Sequence, residues 1–116
     1  MSEITIEELS RRLGDVPVID VRTPAEYDAT GGKSCDPRQG HIPGARNLDV
    51  YRLVEMSADE VQSELGLDPG AEVIAYCHGG SRSAFATQVF RQLGYDARNY
   101  VGSWHEWSRT DLPIES

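Results

Sequence analysis

Val73-Ile74-Ala75-Tyr76-Cys77-His78-Gly79-Gly80-Ser81-Arg82-Ser83-Ala84 joins a strand, a tight loop and a helix start in one run. The apolar segment Val73–Tyr76 has the short, near-continuous hydrophobic character of a strand buried on both faces. Two glycines then let the backbone curl inward without a Cβ clash. A helix-patterned segment begins at about Ser83, where Ala84, Phe85, Val89, Phe90 and Leu93 form an amphipathic face stopped by Gly94. A cysteine delivered into such a loop faces backbone N–H groups and the positive end of a helix dipole, both of which favour an anion. Settings of this kind lower a thiol pKa from about 8.5 to roughly 3.5–7.5, and the thiolate is the reactive form. Arg82 adds a fixed positive charge at the far lip. Cys77 therefore reads as a nucleophile rather than as a buried structural cysteine ending a strand.

Working outward, the same alternation recurs. Thr5-Ile6-Glu7-Glu8 is a capping box opening a helix with Ile6, Leu9 and Leu13 on one face, closed by Gly14. Val16–Val21 reads as a buried strand. Thr23-Pro24-Ala25-Glu26 combines an N-cap, a proline at the first helical position and a second capping box. Asp28–Gly40, with three glycines, a proline and scattered charges, reads as an exposed loop. A short strand is expected at Ala45–Leu48, a helix from Ser57 to Gly66, and a strand at Glu72–Tyr76 after the Asp68-Pro69-Gly70 turn. A last strand falls around Ala97–Val101. Trp104-His105-Glu106-Trp107 reads as a short helix with both tryptophans packing. Strands alternating with helices at this density predict a mostly parallel sheet covered on both faces. Asp20-Val21-Arg22 and Cys77 both follow strands directly and so share the carboxyl rim, where such sheets carry their sites.

Composition sets the outer bounds. The 116 residues suit a single domain, 1–116, with its own core. A formal net charge of −8 argues against nucleic acid or an anionic membrane as partner. No apolar run approaches transmembrane length. Met1-Ser2-Glu3-Ile4 has neither a basic nor an apolar leader region. Cys35 and Cys77 lie far apart in dissimilar contexts, and His78 beside Cys77 is poorly placed for chelation, so no metal is expected. A reducing cytoplasm is the expected home.

Four stretches in order carry a resemblance: Val18-Ile19-Asp20-Val21-Arg22-Thr23-Pro24-Ala25-Glu26-Tyr27, Gly40-His41-Ile42-Pro43-Gly44-Ala45, the cysteine loop, and Gly102-Ser103-Trp104-His105-Glu106-Trp107. Together they resemble the rhodanese-like domain over nearly the whole chain. The resemblance implies an α/β fold with a central five-stranded parallel sheet and helices on both faces. It also implies transfer of a sulfane sulfur through a persulfide on Cys77, with no metal or organic cofactor. His78, Gly79, Gly80, Ser81, Arg82 and Ser83 would then line the donor site, and Asp20 and Arg22 would support the loop as an ion pair. The implied partners are a small anionic sulfur donor, such as thiosulfate or a thiol persulfide, and a thiol, cyanide or protein-thiol acceptor. The chain would act as a monomer or weak dimer. In thiosulfate and mercaptopyruvate enzymes of the family a second arginine grips the donor, and the matching position here is Glu26.

Two rival readings stand beside this one. Phosphatases and arsenate reductases wrap an oxyanion with a cysteine, five residues and an arginine; here four residues separate Cys77 from Arg82, which suits a smaller anion. A non-catalytic rhodanese-like binding module would commonly lack the cysteine. Among secondary residues, His78 either tunes Cys77 or faces solvent. Arg82 either contacts the donor or pairs with a strand-end carboxylate such as Asp20. His41 is expected as a hydrogen-bonded turn residue, Arg46 as a weak donor contact, and Cys35 as a free surface thiol.

Overall fold

The computed structural model describes residues 3–116; Met1 and Ser2, part of the stretch read above for a leader, lie outside them. Four parallel strands, β1 (Val18–Asp20), β2 (Arg46–Asn47), β3 (Glu72–Tyr76) and β4 (Asp96–Asn99), form one sheet in the order β2-β1-β3-β4. Val18, Ile19 and Asp20 of β1 sit opposite Ile74, Ala75 and Tyr76 of β3. The described sheet thus has four strands rather than five. At the place of a fifth strand, Glu3 makes a single parallel bridge to Asn99, and the Ile4 N–H donates to the Asn99 carbonyl at 3.1 Å. The chain then turns at once into the Thr5 N-cap of α1 (Ile6–Arg11), so pairing stops after one bridge.

The side-chain period of two in β3 divides the core. Val73, Ala75 and Cys77 face one layer, with Phe90 of α5 (Ser81–Gln92), Val61 and Leu65 of α4 (Ala58–Leu65), and Val50 and Leu53 of α3 (Val50–Leu53). Ile74 and Tyr76 face the other, with Leu9 of α1 and Trp104 and Trp107 of α6 (Ser103–Trp107). Helices therefore cover both faces, as the alternation predicts. The one-turn α3 was not anticipated, because a Val50/Leu53 pair is too short to show periodicity.

Caps explain the boundaries. The Thr23/Glu26 box at α2 (Pro24–Tyr27) and the Ser57/Glu60 box at α4 are both reciprocal, and Gly66 ends α4 in the left-handed conformation at φ 67°. At α1 only half the expected box forms. Thr5 accepts from the Glu8 N–H, but the Glu8 carboxylate is drawn away to Arg98 and Arg12. That helix also ends at Arg11 rather than at Gly14.

The segment Asp28–Gly40 forms no regular element, yet it is less exposed than its composition predicts: Asp36 and Gly40 are buried. Arg38 ties it down by donating to the carbonyls of Trp107, Thr110 and Leu112, while Trp104 Nε1 donates to the Arg38 carbonyl at 3.0 Å.

In chain order the connection from β1 leads outward to β2, whereas that from β3 leads to β4 on the opposite side. The reversal leaves a crevice beyond the carboxyl ends of β1 and β3, the usual place for a site in open α/β sheets.

Candidate active site

Cys77 follows β3 directly and is 1% exposed. Its backbone is clamped from the tail: the Cys77 N–H donates to Ser103 Oγ at 3.1 Å, and the Trp104 N–H donates to the Cys77 carbonyl at 2.9 Å. Ser103 holds a left-handed φ of 55°, uncommon for a residue with a side chain, at the point where it meets this loop.

The helix after the cysteine starts at Ser81, two residues before the position read from the sequence, with Gly80 as its N-cap. Gly80 takes φ 98°, and a Cβ there would lie 2.6 Å from the Val101 carbonyl oxygen, so both conformation and space require glycine. Gly79 is different: a Cβ on it would meet nothing. The early start aims the first turn of α5 at the sulfur. The Gly80 N–H donates to Cys77 Sγ at 3.0 Å and the Ser83 hydroxyl approaches it at 3.3 Å. That hydroxyl has one proton to divide between Sγ and the Gly80 carbonyl, 3.2 Å away. Burial pushes the Cys77 pKa up. The Ser83 hydroxyl and amide, the Gly80 amide and the Arg82 charge outweigh it, and the net shift is downward.

Arg82 is not paired with Asp20. Its guanidinium forms a two-pronged contact with Glu26, Nη1–Oε1 3.0 Å and Nη2–Oε2 3.2 Å. Thr23 holds the carboxylate in place through its N–H and hydroxyl. Burial raises the Glu26 pKa, but Arg82 first and then Thr23 bring it down to about 2. Glu26 was legible as a capping residue; its second partner, 56 positions away, was not.

Asp20 and Arg22 form a buried ion pair below the loop, at 1% exposure or less. Arg22 Nη2 reaches Asp20 Oδ2 at 2.7 Å and the Gly40 carbonyl at 2.6 Å, and the guanidinium lies 5.0 Å from the Trp104 ring centre. Tyr76 donates its hydroxyl to Asp20 Oδ2 at 2.7 Å, and Asn47 Nδ2 donates to the carbonyls of Asp20 and Arg22. The pair thereby joins the ends of β1, β2 and β3 to the Gly40 turn.

His78 neither faces Cys77 nor stands free in solvent. Its Nε2 lies 2.9 and 3.1 Å from the two carboxylate oxygens of Asp36, and the Arg109 guanidinium reaches the same carboxylate at 3.0 Å. Cys35 Sγ, an Asp36 carboxylate oxygen and a His78 ring nitrogen lie within 4.8 Å of one another, a grouping of metal-binding types that sequence spacing concealed. The positive charge of Arg109 on Asp36 opposes a cation there. Cys35 is an exposed free thiol, as expected. His41 is the turn residue anticipated, its Nδ1 2.8 Å from the Tyr27 carbonyl and its ring stacked on Tyr27. Arg46 is not near the loop; it donates to the carbonyls of Leu65 and Glu64 at the end of α4, where a cation offsets the helix dipole.

A family model for the rhodanese-like domain matches residues 5–110. A thiosulfate sulfurtransferase of Pseudomonas aeruginosa is 41% identical over 96% of this chain and 45% of its own length. One of Azotobacter vinelandii is 35% identical over 90% of this chain and 42% of its own. The chain thus spans about half the length of the curated relatives it matches. A crystal structure of a probable thiosulfate sulfurtransferase superposes with a TM-score of 0.88 at 42% identity, over 99% of this chain and 48% of that one. A human single-domain sulfurtransferase superposes with a TM-score of 0.75 at 30% identity, over 96% of this chain and 98% of that one. The chain belongs to the rhodanese-like family.

Proposed function

We propose that this rhodanese-like domain, residues 1–116, is a sulfurtransferase that carries sulfur on Cys77. The Cys77 thiolate attacks the outer sulfur of thiosulfate or of a thiol persulfide. The S–S bond of the donor breaks, its electron pair leaves with sulfite or the donor thiolate, and the enzyme holds Cys77–S–S⁻. A thiol, cyanide or acceptor-protein thiol then takes the terminal sulfur and returns the thiolate. Because the persulfide sulfur is itself anionic, the first turn of α5 would stabilise it much as an oxyanion hole stabilises oxygen. The chemistry uses thiolate and persulfide alone, with no metal or organic cofactor, and a reducing cytoplasm keeps the thiol competent.

The observation that carries this reading is the sulfur's surroundings: a buried Sγ 3.0 Å from the Gly80 N–H and 3.3 Å from the Ser83 hydroxyl, at a helix N-terminus. The names of the relatives point the same way. A phosphatase or arsenate reductase wraps its oxyanion with five residues between cysteine and arginine, and here four separate Cys77 from Arg82.

The backbone of His78 with Gly79, Gly80, Ser81, Arg82 and Ser83 forms the donor pocket in this proposal, the His78 ring being held by Asp36, and Asp20 and Arg22 are its support. The test is intact mass after incubation with thiosulfate. One added sulfur, removable by cyanide or dithiothreitol, is expected on the native chain and on Cys35→Ser, and none on Cys77→Ser. An adduct or undiminished thiocyanate formation in Cys77→Ser would end the assignment.

A further inference from the structure

Three donors converge on one carbonyl of the cysteine loop. The Gly80 carbonyl oxygen accepts the helical N–H of Ala84 at 3.0 Å, and it lies 3.2 Å from both Asn99 Nδ2 and Ser83 Oγ. A carbonyl oxygen offers two lone pairs, so one of the three donors is surplus. The Ala84 N–H is fixed by the helix and the Asn99 N–H by a planar amide, whereas a hydroxyl proton rotates to suit its neighbours. The Ser83 hydroxyl is therefore the group that yields. Its other neighbour is Cys77 Sγ at 3.3 Å, and an ionised sulfur makes the stronger acceptor because the bond is charge-assisted.

The fold places Asn99 for this contact. It ends β4, where the register sets it beside Ala75, two residues before Cys77. Its side chain shares a sheet face with that of Ala97, which packs in the layer holding α5 and Cys77. Asn99 is buried, and its Oδ1 meets no hydrogen-bond donor among the described residues. Turning the amide over would set Oδ1 against the Gly80 oxygen, acceptor against acceptor. A buried acceptor without a partner is destabilising, and an apolar side chain of similar size would avoid that cost. What the amide contributes is thus its Nδ2 donor.

We infer that Asn99 is a positioning residue for the sulfur chemistry: by filling the Gly80 carbonyl it turns the Ser83 hydroxyl proton onto Cys77 Sγ, where it stabilises the thiolate and then the persulfide. The inference rests on the sulfur transfer proposed above for its persulfide step, while the thiolate step is measured without it. The charged groups around the loop are committed to other partners. Arg82 is paired with Glu26, Arg22 with Asp20, and His78 and Arg109 with Asp36; Glu106 accepts from the Tyr100 hydroxyl. Glu3 and Arg91 line a small cavity next to Asn99. Asn99→Leu alters none of these charges, so a change in Cys77 titration reports the lost donor.

The experiment follows iodoacetamide alkylation of Cys77 against pH in the whole chain, in Asn99→Leu, in Ser83→Ala and in the double variant, each carrying Cys35→Ser so that a single thiol reports. Asn99→Leu should move the inflection upward by about 0.5–1 pH unit, the difference one hydrogen bond makes. Thiosulfate loading at pH 7 should slow about threefold to tenfold. Above both inflections the loading rates should converge, whereas a merely structural loss would depress them at every pH. In the Ser83→Ala background, Asn99→Leu should leave the inflection within about 0.2 pH unit, because the two residues act through one proton. Equal shifts in both backgrounds would mean that Asn99 acts through the backbone of the turn, and would overturn the inference. So would an unmoved inflection in folded Asn99→Leu. Asn99→Ala repeats the measurement without added bulk, and failure of both variants to fold would make Asn99 a scaffold residue and overturn the assignment as well. No persulfide on the native chain, with the alkylation shifts as expected, would sink the sulfur-transfer reading and leave the routing of the Ser83 proton standing.

Discussion

Arg82 and Glu26, 56 positions apart in the chain, meet fork to fork at 3.0 and 3.2 Å across the mouth of the cysteine loop. The contact joins the start of α5 to the start of α2, both at the carboxyl rim of the sheet. It also means that the loop cation is shared between the Cys77 sulfur and a carboxylate whose pKa lies at about 2.

The pair should make stability fall in acid. The Glu26 pKa is depressed in the folded chain, so its contribution is complete above the unfolded carboxylate pKa of about 4.3 and is lost as pH falls toward 2. Allowing for solvent screening, the effect is about 1–2 kcal/mol. Urea melts at pH 7 and pH 3 on the native chain and Glu26→Gln should show a smaller acid loss in the variant. An equal loss would assign the acid sensitivity to other carboxylates.

Arg82→Ala removes the Cys77 counter-charge and strands Glu26. Sulfur transfer should drop on the order of tenfold to a hundredfold, because charge-assisted contacts are worth about 1.5–3 kcal/mol. Arg82→Lys should restore only part, since an ammonium cannot form both prongs. Full activity in Arg82→Ala would remove Arg82 from the site.

The Ser83 hydroxyl at 3.3 Å is one of the groups that lower the Cys77 pKa against the effect of burial. The rate of iodoacetamide alkylation followed against pH should inflect below an ordinary cysteine. Ser83→Ala should move that inflection upward and slow sulfur loading at neutral pH severalfold. An unmoved inflection would mean that the backbone amides and Arg82 suffice.

Gly80 and Gly79 should separate cleanly on substitution. Gly80→Ala forces a Cβ to within 2.6 Å of the Val101 carbonyl at φ 98°, and should cost about 1–3 kcal/mol in denaturant melts along with most activity. Gly79→Ala enters open space and should melt like the native chain. Matching losses in the two would contradict this account of the turn.

Arg22→Ala leaves the Asp20 carboxylate buried without its partner and should cost about 3–5 kcal/mol. A melt shifted by less than about 1 kcal/mol would show that the Tyr76 hydroxyl and the Arg22 backbone N–H, 2.9 Å from Asp20 Oδ1, hold Asp20 without the guanidinium.

Much of this molecule is local in origin. The N-caps at Thr23 and Ser57, the left-handed stop at Gly66 and the alternating faces of Val73 to Cys77 depend on residues within a few positions of one another. Turn and cap chemistry is short-ranged, so the strand–loop–helix unit around Cys77, the helices on both faces and the family resemblance were all readable from the chain. Less was readable where an element is only a turn long, as in α3, or where pairing stops after one bridge, as at Glu3.

Tertiary structure alone decided which charges meet. Glu8 leaves its cap for Arg98, Arg46 turns to the end of α4, Asp36 is buried under His78 and Arg109, and Arg82 takes Glu26 in preference to Asp20. Long side chains pair with whatever opposite charge the fold brings within hydrogen-bond reach, and that is a property of three-dimensional neighbours. The sequence by itself determined that a cysteine would stand at a helix N-terminus on the sheet's carboxyl rim, because backbone geometry follows local glycine, proline and cap residues. Packing determined how much positive charge that cysteine would have to itself.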